Sequence, residues 1–214
     1  MRRSKFIVLL FSIAFAGVDV LGQSAPAPVK TFDTVSYGFV IDNSGSYRTL
    51  LERVINLVEE VARSNRENDE AFLVTFVDNP KTVIRQEFTS NKNDLIDAAN
   101  NMYIEGGQTS LLDALRLSID YFSANAKEEP DRARAILFVT DGDDRSSVAK
   151  VETVIAAAKA AKIRIVIVGM TDDKLGTKIL DRLAKETGGR TFYPKTAKET
   201  GTIAADVVAA IRGN

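Results

Sequence analysis

Three nearly continuous apolar runs, Val35–Ile41, Ala135–Val139 and Ile163–Val168, constrain the fold more than any other feature of the sequence. Runs of strand length with so little alternation are what strands buried on both faces look like. Between them the apolar residues change period. Leu50, Leu51, Val54, Val58 and Val61 recur at helical spacing, as do Leu111, Leu112, Leu115, Ile119 and Phe122. An alanine-rich helix is expected over Val151–Ala161, another over Leu175–Thr187 stopped by Gly188 and Gly189, and a closing one over Ile203–Ile211. Ala71–Val77 and Thr82–Phe88 read as strands joined by a turn at Asp78-Asn79-Pro80, close enough for an antiparallel hairpin. Arg190–Tyr193 reads as a short edge strand. Buried strands separated by helices predict a doubly wound α/β domain, Rossmann-like, with helices on both faces. Its sheet is expected to be mostly parallel and six-stranded, with one antiparallel edge strand. In such a fold ligands sit at the carboxyl ends of the strands, near the point where the strand order reverses.

The ends of the chain set the domain boundaries. Arg2, Arg3 and Lys5 precede an apolar stretch from Phe6 to Val18 and a small-residue ending, Val20-Leu21-Gly22. That order predicts a signal peptide over residues 1–22, a Pro/Ala tether over 23–30 and one domain over 31–214. A secreted, periplasmic or otherwise extracytoplasmic destination follows, by the general secretory route, with no membrane span after cleavage.

Composition narrows the chemistry. The sequence contains no histidine, cysteine or tryptophan. Disulfides, thiol nucleophiles, imidazole bases and His- or Cys-ligated zinc are therefore excluded, and on that ground zinc chemistry is set aside. Any metal must be held by oxygen, which selects the hard cations Mg²⁺, Ca²⁺ or Mn²⁺. With 28 basic residues against 29 acidic ones and no basic stripe, no nucleic-acid partner is expected.

Oxygen donors gather at three places. Asp42-Asn43-Ser44-Gly45-Ser46 directly follows the first buried run, with Gly45 expected to let the backbone bend. Gly106-Gly107-Gln108-Thr109 precedes the Leu111 helix, and Asp141-Gly142-Asp143-Asp144 directly follows the strand-like run ending in Val139-Thr140. Each has a structural alternative: Ser44, Ser46 or Thr109 as a helix N-cap with Asp42 favouring the dipole, and the acidic stretch as a solvated loop. All three should nevertheless end on one edge of the sheet, where independent caps need not supply this set of donors. Asp113 is expected to support Thr109 or its loop. Asp172-Asp173 reads as a solvated loop, or else as an acidic rim to the site.

Asp42-x-Ser44-x-Ser46, then Thr109, then Asp141 resembles the metal-ion-dependent adhesion site of von Willebrand factor A-type domains. The flanking residues match as well, in Phe39–Asp42, Thr109–Leu115 and Phe138–Gly142, and the resemblance spans Val35 to Arg212. Stand-alone secreted bacterial members look most similar. Gln108, where the family more often continues Gly-Gly directly into threonine, is a small departure. The resemblance implies that the hydroxyls of Ser44, Ser46 and Thr109 face the cation, that Asp42 and Asp141 act directly or through water, and that one position stays open for a partner carboxylate. It also implies a binding module, not an enzyme: Mg²⁺-dependent adhesion or assembly with a protein that exposes an Asp or Glu. A metal-dependent hydrolase or phosphatase using the same oxygens is the alternative, though no general base is in view and no phosphate loop is present. A scaffold that holds no metal is the third. Because Asp42 and Asp141 look like loop carboxylates outside the core, replacing either by alanine is expected to leave metal-free stability nearly unchanged.

Overall fold

The computed structural model describes residues 32–171 and 174–213, so the expected signal peptide, the tether and the Asp172-Asp173 pair lie outside the described residues. Six strands, β1 (Thr34–Asp42), β2 (Glu70–Phe76), β3 (Val83–Thr89), β4 (Arg132–Thr140), β5 (Arg164–Gly169) and β6 (Thr191–Phe192), form one sheet in the order β3-β2-β1-β4-β5-β6. Only β3 is antiparallel, and it lies at an edge, as the Asp78-Asn79-Pro80 turn predicts. The helices are α1 (Leu51–Arg63), α2 (Lys92–Asn100), α3 (Leu111–Asn125), α4 (Val151–Ala160), α5 (Lys174–Thr187), α6 (Ala197–Thr202) and α7 (Ala204–Arg212). Two of them, α2 and α6, were not anticipated from periodicity. Among the described residues no helix is long and apolar enough to cross a membrane.

The four central strands, β1, β2, β4 and β5, bury both faces, and their residues alternate between two cores. Val35, Tyr37, Phe39 and Ile41 of β1 pack with Leu137 and Val139 of β4 against Val54, Leu57, Val58, Val207 and Ile211 of α1 and α7. Val40, Phe72, Val74, Ile136 and Phe138 pack on the other side against Leu111, Leu115, Phe122, Val154 and Leu183. This two-sided burial is the physical reason the runs read as nearly continuous. Asp69, fully buried at the amino end of the sheet, accepts hydrogen bonds from the Val35 and Arg66 amides and from the Arg212 guanidinium, which fastens α7 to β1.

Gly38 shows how closely the second core is filled. A Cβ there would lie 2.2 Å from Cζ of Phe72, whose ring meets Phe88, Tyr121 and Phe122 edge-on at centroid distances of 4.8, 5.0 and 5.9 Å. The ring has no room to retreat. Gly38→Ala should lower stability by about 1 to 3 kcal/mol, measurable by denaturant unfolding, through the overpacking that an extra methyl forces on a dense core.

The strand order reverses between β1 and β4. Asp42 pairs in register with Phe76, Ile41 with Val139 and Thr140 with Gly169, so the carboxyl ends of β2, β1, β4 and β5 form one edge. The loops leaving β1 and β4 meet there, at the crevice where doubly wound sheets hold ligands.

Candidate metal centre

Asp42 is the last residue of β1 and is fully buried, contrary to the expectation of a loop carboxylate outside the core. Its Oδ1 accepts the Ser44 amide at 2.9 Å and its Oδ2 accepts the hydroxyl of Thr140, at the end of the neighbouring strand, at 3.1 Å. Burial pushes the Asp42 carboxyl up to about 7, a rise to which the charge of Asp141 adds and which the hydrogen bonds from Ser44 and Thr140 oppose.

Ser46 donates to Oδ2 of Asp141 at 2.6 Å, and its oxygen lies 3.0 Å from the Ser44 hydroxyl. A hydroxyl has one proton, so Ser44 is the donor in that second contact. Asp42, Ser44, Ser46 and Asp141 thus form one connected group. Asp141 Oδ1 accepts the Asp143 amide at 3.1 Å, and the chain turns sharply after it through Gly142 at φ +83°, where a Cβ would meet the Gly176 backbone at 3.2 Å.

The capping alternatives do not hold. Ser44 stands at the start of a 3-10 turn, Gly45–Thr49, but its side chain makes no capping bond, and neither does that of Leu50 before α1. The start of α3 is capped from across the chain by Ser147, whose hydroxyl oxygen accepts the Leu112 and Asp113 amides at 2.9 and 3.3 Å. Thr109 is buried two residues before that helix begins and caps nothing. Its carbonyl accepts the Arg145 and Ser146 amides at 2.9 and 3.2 Å, which ties it to the loop that follows Asp141. Among the described residues no hydrogen bond joins the Thr109 hydroxyl to the other four side chains. Four of the five expected residues are therefore in hydrogen-bonded contact, and the fifth is connected to them through main chain.

Two smaller expectations are corrected. Gly45 has no left-handed backbone and a Cβ there would meet nothing within 4 Å, so the turn does not require glycine. Asp113 supports neither Thr109 nor its loop; it accepts the Val148 and Ala149 amides, the latter at 2.7 Å, and holds the far end of the Asp141 loop. Sequence reasoning also missed Thr140, whose only signal was its place beside Asp141 at a strand end. Tyr47 was missed too: it is fully buried, its hydroxyl has no partner, and burial with the charges of Asp42 and Asp141 pushes its ionisation well above the usual range.

The donor set fits a hard divalent cation. It offers carboxylate and hydroxyl oxygens only, and among the described residues no group of three or more acidic side chains forms an all-carboxylate cage. A cation would also offset the cost of burying the Asp42 charge. Beside Asp141 an open cleft of about 350 Å³, lined by Gly142, Asp143, Asp144, Gly176 and Ile179, leaves the centre reachable from solvent.

Solved structures share the fold at low identity. Proximal thread matrix protein 1 from the mussel byssus aligns with a TM-score of 0.72 at 17% identity, covering 84% of this chain and 48% of that one, so the chain spans about half of the mussel protein. An aerotolerance-related membrane protein from Bacteroides fragilis aligns at 0.65 and 17% identity, covering 83% of this chain and 98% of that one. BatB from Bacteroides thetaiotaomicron, a conserved hypothetical protein, aligns at 0.63 and 16%, with the same coverage of 83% and 98%. The mussel protein is also known with a zinc-occupied MIDAS motif, aligning at 0.66 and 16% identity over 83% of this chain and 48% of that one. Zinc can thus sit in such a motif, and setting zinc aside holds for His- or Cys-ligated zinc alone. No curated protein matches the sequence. The pattern of the von Willebrand factor type A domain matches residues 38–206, more than half of the chain, and the protein belongs to that family.

Proposed function

We propose that this protein is a divalent-cation-dependent protein-binding module in which Asp42, Ser44, Ser46, Thr109 and Asp141 hold Mg²⁺, with Mn²⁺ or Ca²⁺ as alternatives, and an Asp or Glu of a partner completes the coordination. The observation that carries this reading is the chain of contacts Ser44 to Ser46 to Asp141, 3.0 and 2.6 Å long, made by hydroxyls that cap no helix. Asp42 and Asp141 supply the set's two negative charges. When bound, the cation supplies an under-neutralised positive centre that attracts one more anionic oxygen. Thr140 and the Ser44 amide fix the Asp42 carboxylate, and the Asp143 amide fixes Asp141, so the donors are oriented before any ligand arrives.

A binding role is favoured over hydrolysis because the chain has no histidine to act as general base near the site. The family and the metal-occupied motif of a fold neighbour support metal-dependent protein interaction. An export segment over residues 1–22, a tether over 23–30 and the binding domain over 31–214 complete the proposal, with a secreted or periplasmic destination as its consequence.

Calorimetric titration of the full chain with MgCl₂ tests the reading. One site should saturate, and Mg²⁺ at a hundred times its dissociation constant should add about 2.7 kcal/mol to unfolding stability relative to EDTA. No heat and no stabilisation with Mg²⁺, Mn²⁺ or Ca²⁺ would refute it. Pull-down in Mg²⁺ and then in EDTA identifies the partner.

A further inference from the structure

Asn43 occupies a variable position of the motif and offers no donor to the proposed cation, yet it is fully buried. Its backbone amide bonds to the Phe76 carbonyl at 3.1 Å, which extends the pairing of β1 with β2 by one residue. Its carbonyl accepts the Glu105 amide at 2.9 Å. Its side-chain amide donates to the Tyr103 carbonyl at 3.0 Å and to the Glu105 carboxylate at 3.4 Å, while its Oδ1 is buried without a partner. Both donor contacts of the side chain therefore go to one segment.

That segment, residues 101–110, contains no helix or strand and leads into Thr109. Its shape is set from outside. Asn43 holds Tyr103 and Glu105, Lys81 reaches the Gly106 carbonyl, Ser146 donates to the Gln108 carbonyl at 2.9 Å, and the Ser110 amide bonds to Val77 at 2.7 Å. Of these, only Asn43 belongs to the turn that carries Asp42, Ser44 and Ser46. It is the direct link between that turn and the Thr109 segment. The link continues outward: Glu105 lies 3.9 Å from Arg85, whose guanidinium covers the half-exposed Tyr103 ring at 4.8 Å.

We propose that Asn43 is a positioning residue for the cation: its side-chain amide holds the Thr109 segment against the Asp42–Ser46 turn, so cation affinity depends on a side chain that touches no cation. The inference rests on the proposed cation site. Groups that orient metal ligands without contacting the metal typically govern 10- to 100-fold of affinity, because a ligand free to wander must be ordered on binding. Asn43 should fall near the lower end, since Thr109 keeps its other main-chain bonds.

The test titrates MgCl₂ into full-length wild type, Asn43→Ala and Asp141→Ala, with hydrogen exchange recorded in EDTA. Asn43→Ala should bind Mg²⁺ about tenfold more weakly, with faster exchange confined to residues 101–110 and unfolding still cooperative. Asn43→Ser, whose hydroxyl is too short to reach Tyr103, should show the same loss with a smaller cavity, and stands in if the alanine variant does not fold. Wild-type affinity in a folded Asn43 variant, while Asp141→Ala has lost binding, overturns the positioning role and leaves the cation site intact. Affinity loss accompanied by faster exchange throughout the sheet also overturns it, since the role would then be general stability. If wild type itself binds no cation, the underlying site is refuted instead.

Discussion

Asp141→Ala is expected to abolish Mg²⁺ binding, and with it capture of any acidic partner, while leaving metal-free stability close to wild type. The variant removes one of only two negative charges in the donor group and leaves the Ser46 hydroxyl without its acceptor at 2.6 Å. Unit charges 4 Å apart near a protein surface attract by about 4 kcal/mol, and a divalent ion is held at least as strongly. With about 1.4 kcal/mol for each factor of ten, the expected loss is roughly a thousandfold. Stability should survive because Asp141 lies beyond the last residue of β4 and is partly exposed, so the Ser46 hydroxyl and the Asp143 amide that it frees can turn to water. Calorimetry and EDTA unfolding curves on the same preparation check both halves. A dissociation constant within tenfold of wild type would remove Asp141 from the site, and the metal-bridge mechanism with it. Replacing the critical partner Asp or Glu by its amide should weaken capture by wild type to a comparable degree.

The sheet was legible because its physics is written directly in residue type. Val35–Ile41 and Ala135–Val139 are apolar on both faces because helices cover both faces, and no surface loop has reason to look like that. The helix α2 was hidden for the opposite reason: it buries only Leu95 and Ala99, and its remaining residues are largely those of a polar loop. Its N-cap, Asn91, which accepts the Asn93 amide, was the signal available. At the site, the donor residues stood out because Asp42, Ser44 and Ser46 alternate within five residues at a strand end. What joins them to Thr109 was not legible, since Asn43, Lys81 and Ser146 act through contacts with carbonyls, and a carbonyl leaves no trace in residue type. Gly45 was misread because a glycine that merely tolerates a turn has the same letter as one the backbone requires, such as Gly142. Asp42 was misread because a polar residue ending an apolar run marks equally well the start of a loop and the last buried position of a strand.

That burial makes Asp42→Asn the most informative variant for stability: in EDTA at neutral pH it should be more stable than wild type, by about 2 to 4 kcal/mol at roughly 1.4 kcal/mol per unit of displaced pKa. Asp42 is inaccessible to solvent, and burial raises its carboxyl from 3.8 to about 7. Folding therefore favours the protonated acid, whereas the unfolded chain ionises freely. The resulting stability is fully present below the unfolded value near 3.8 and is lost as pH rises through about 7. The amide does not titrate, so the variant should keep at pH 7.5 what wild type has lost, and the two should converge near pH 4. An asparagine oxygen can still accept the Ser44 amide, while its NH₂ group can donate to Thr140 or Asp141, so little packing is sacrificed. The expectation that this position is silent in EDTA, drawn from its loop-like sequence context, is thereby replaced. Mg²⁺ at a thousand times its dissociation constant adds about 4 kcal/mol to wild type and should close the gap or reverse it while leaving the variant unmoved, because the buried charge that destabilises the empty fold is the one that holds the cation. Urea unfolding of both proteins at pH 4 and 7.5, with EDTA and with Mg²⁺, decides the matter. Parallel pH profiles in EDTA would show that Asp42 carries no such cost, and that its carboxylate is matched by the Ser44 and Thr140 hydrogen bonds alone.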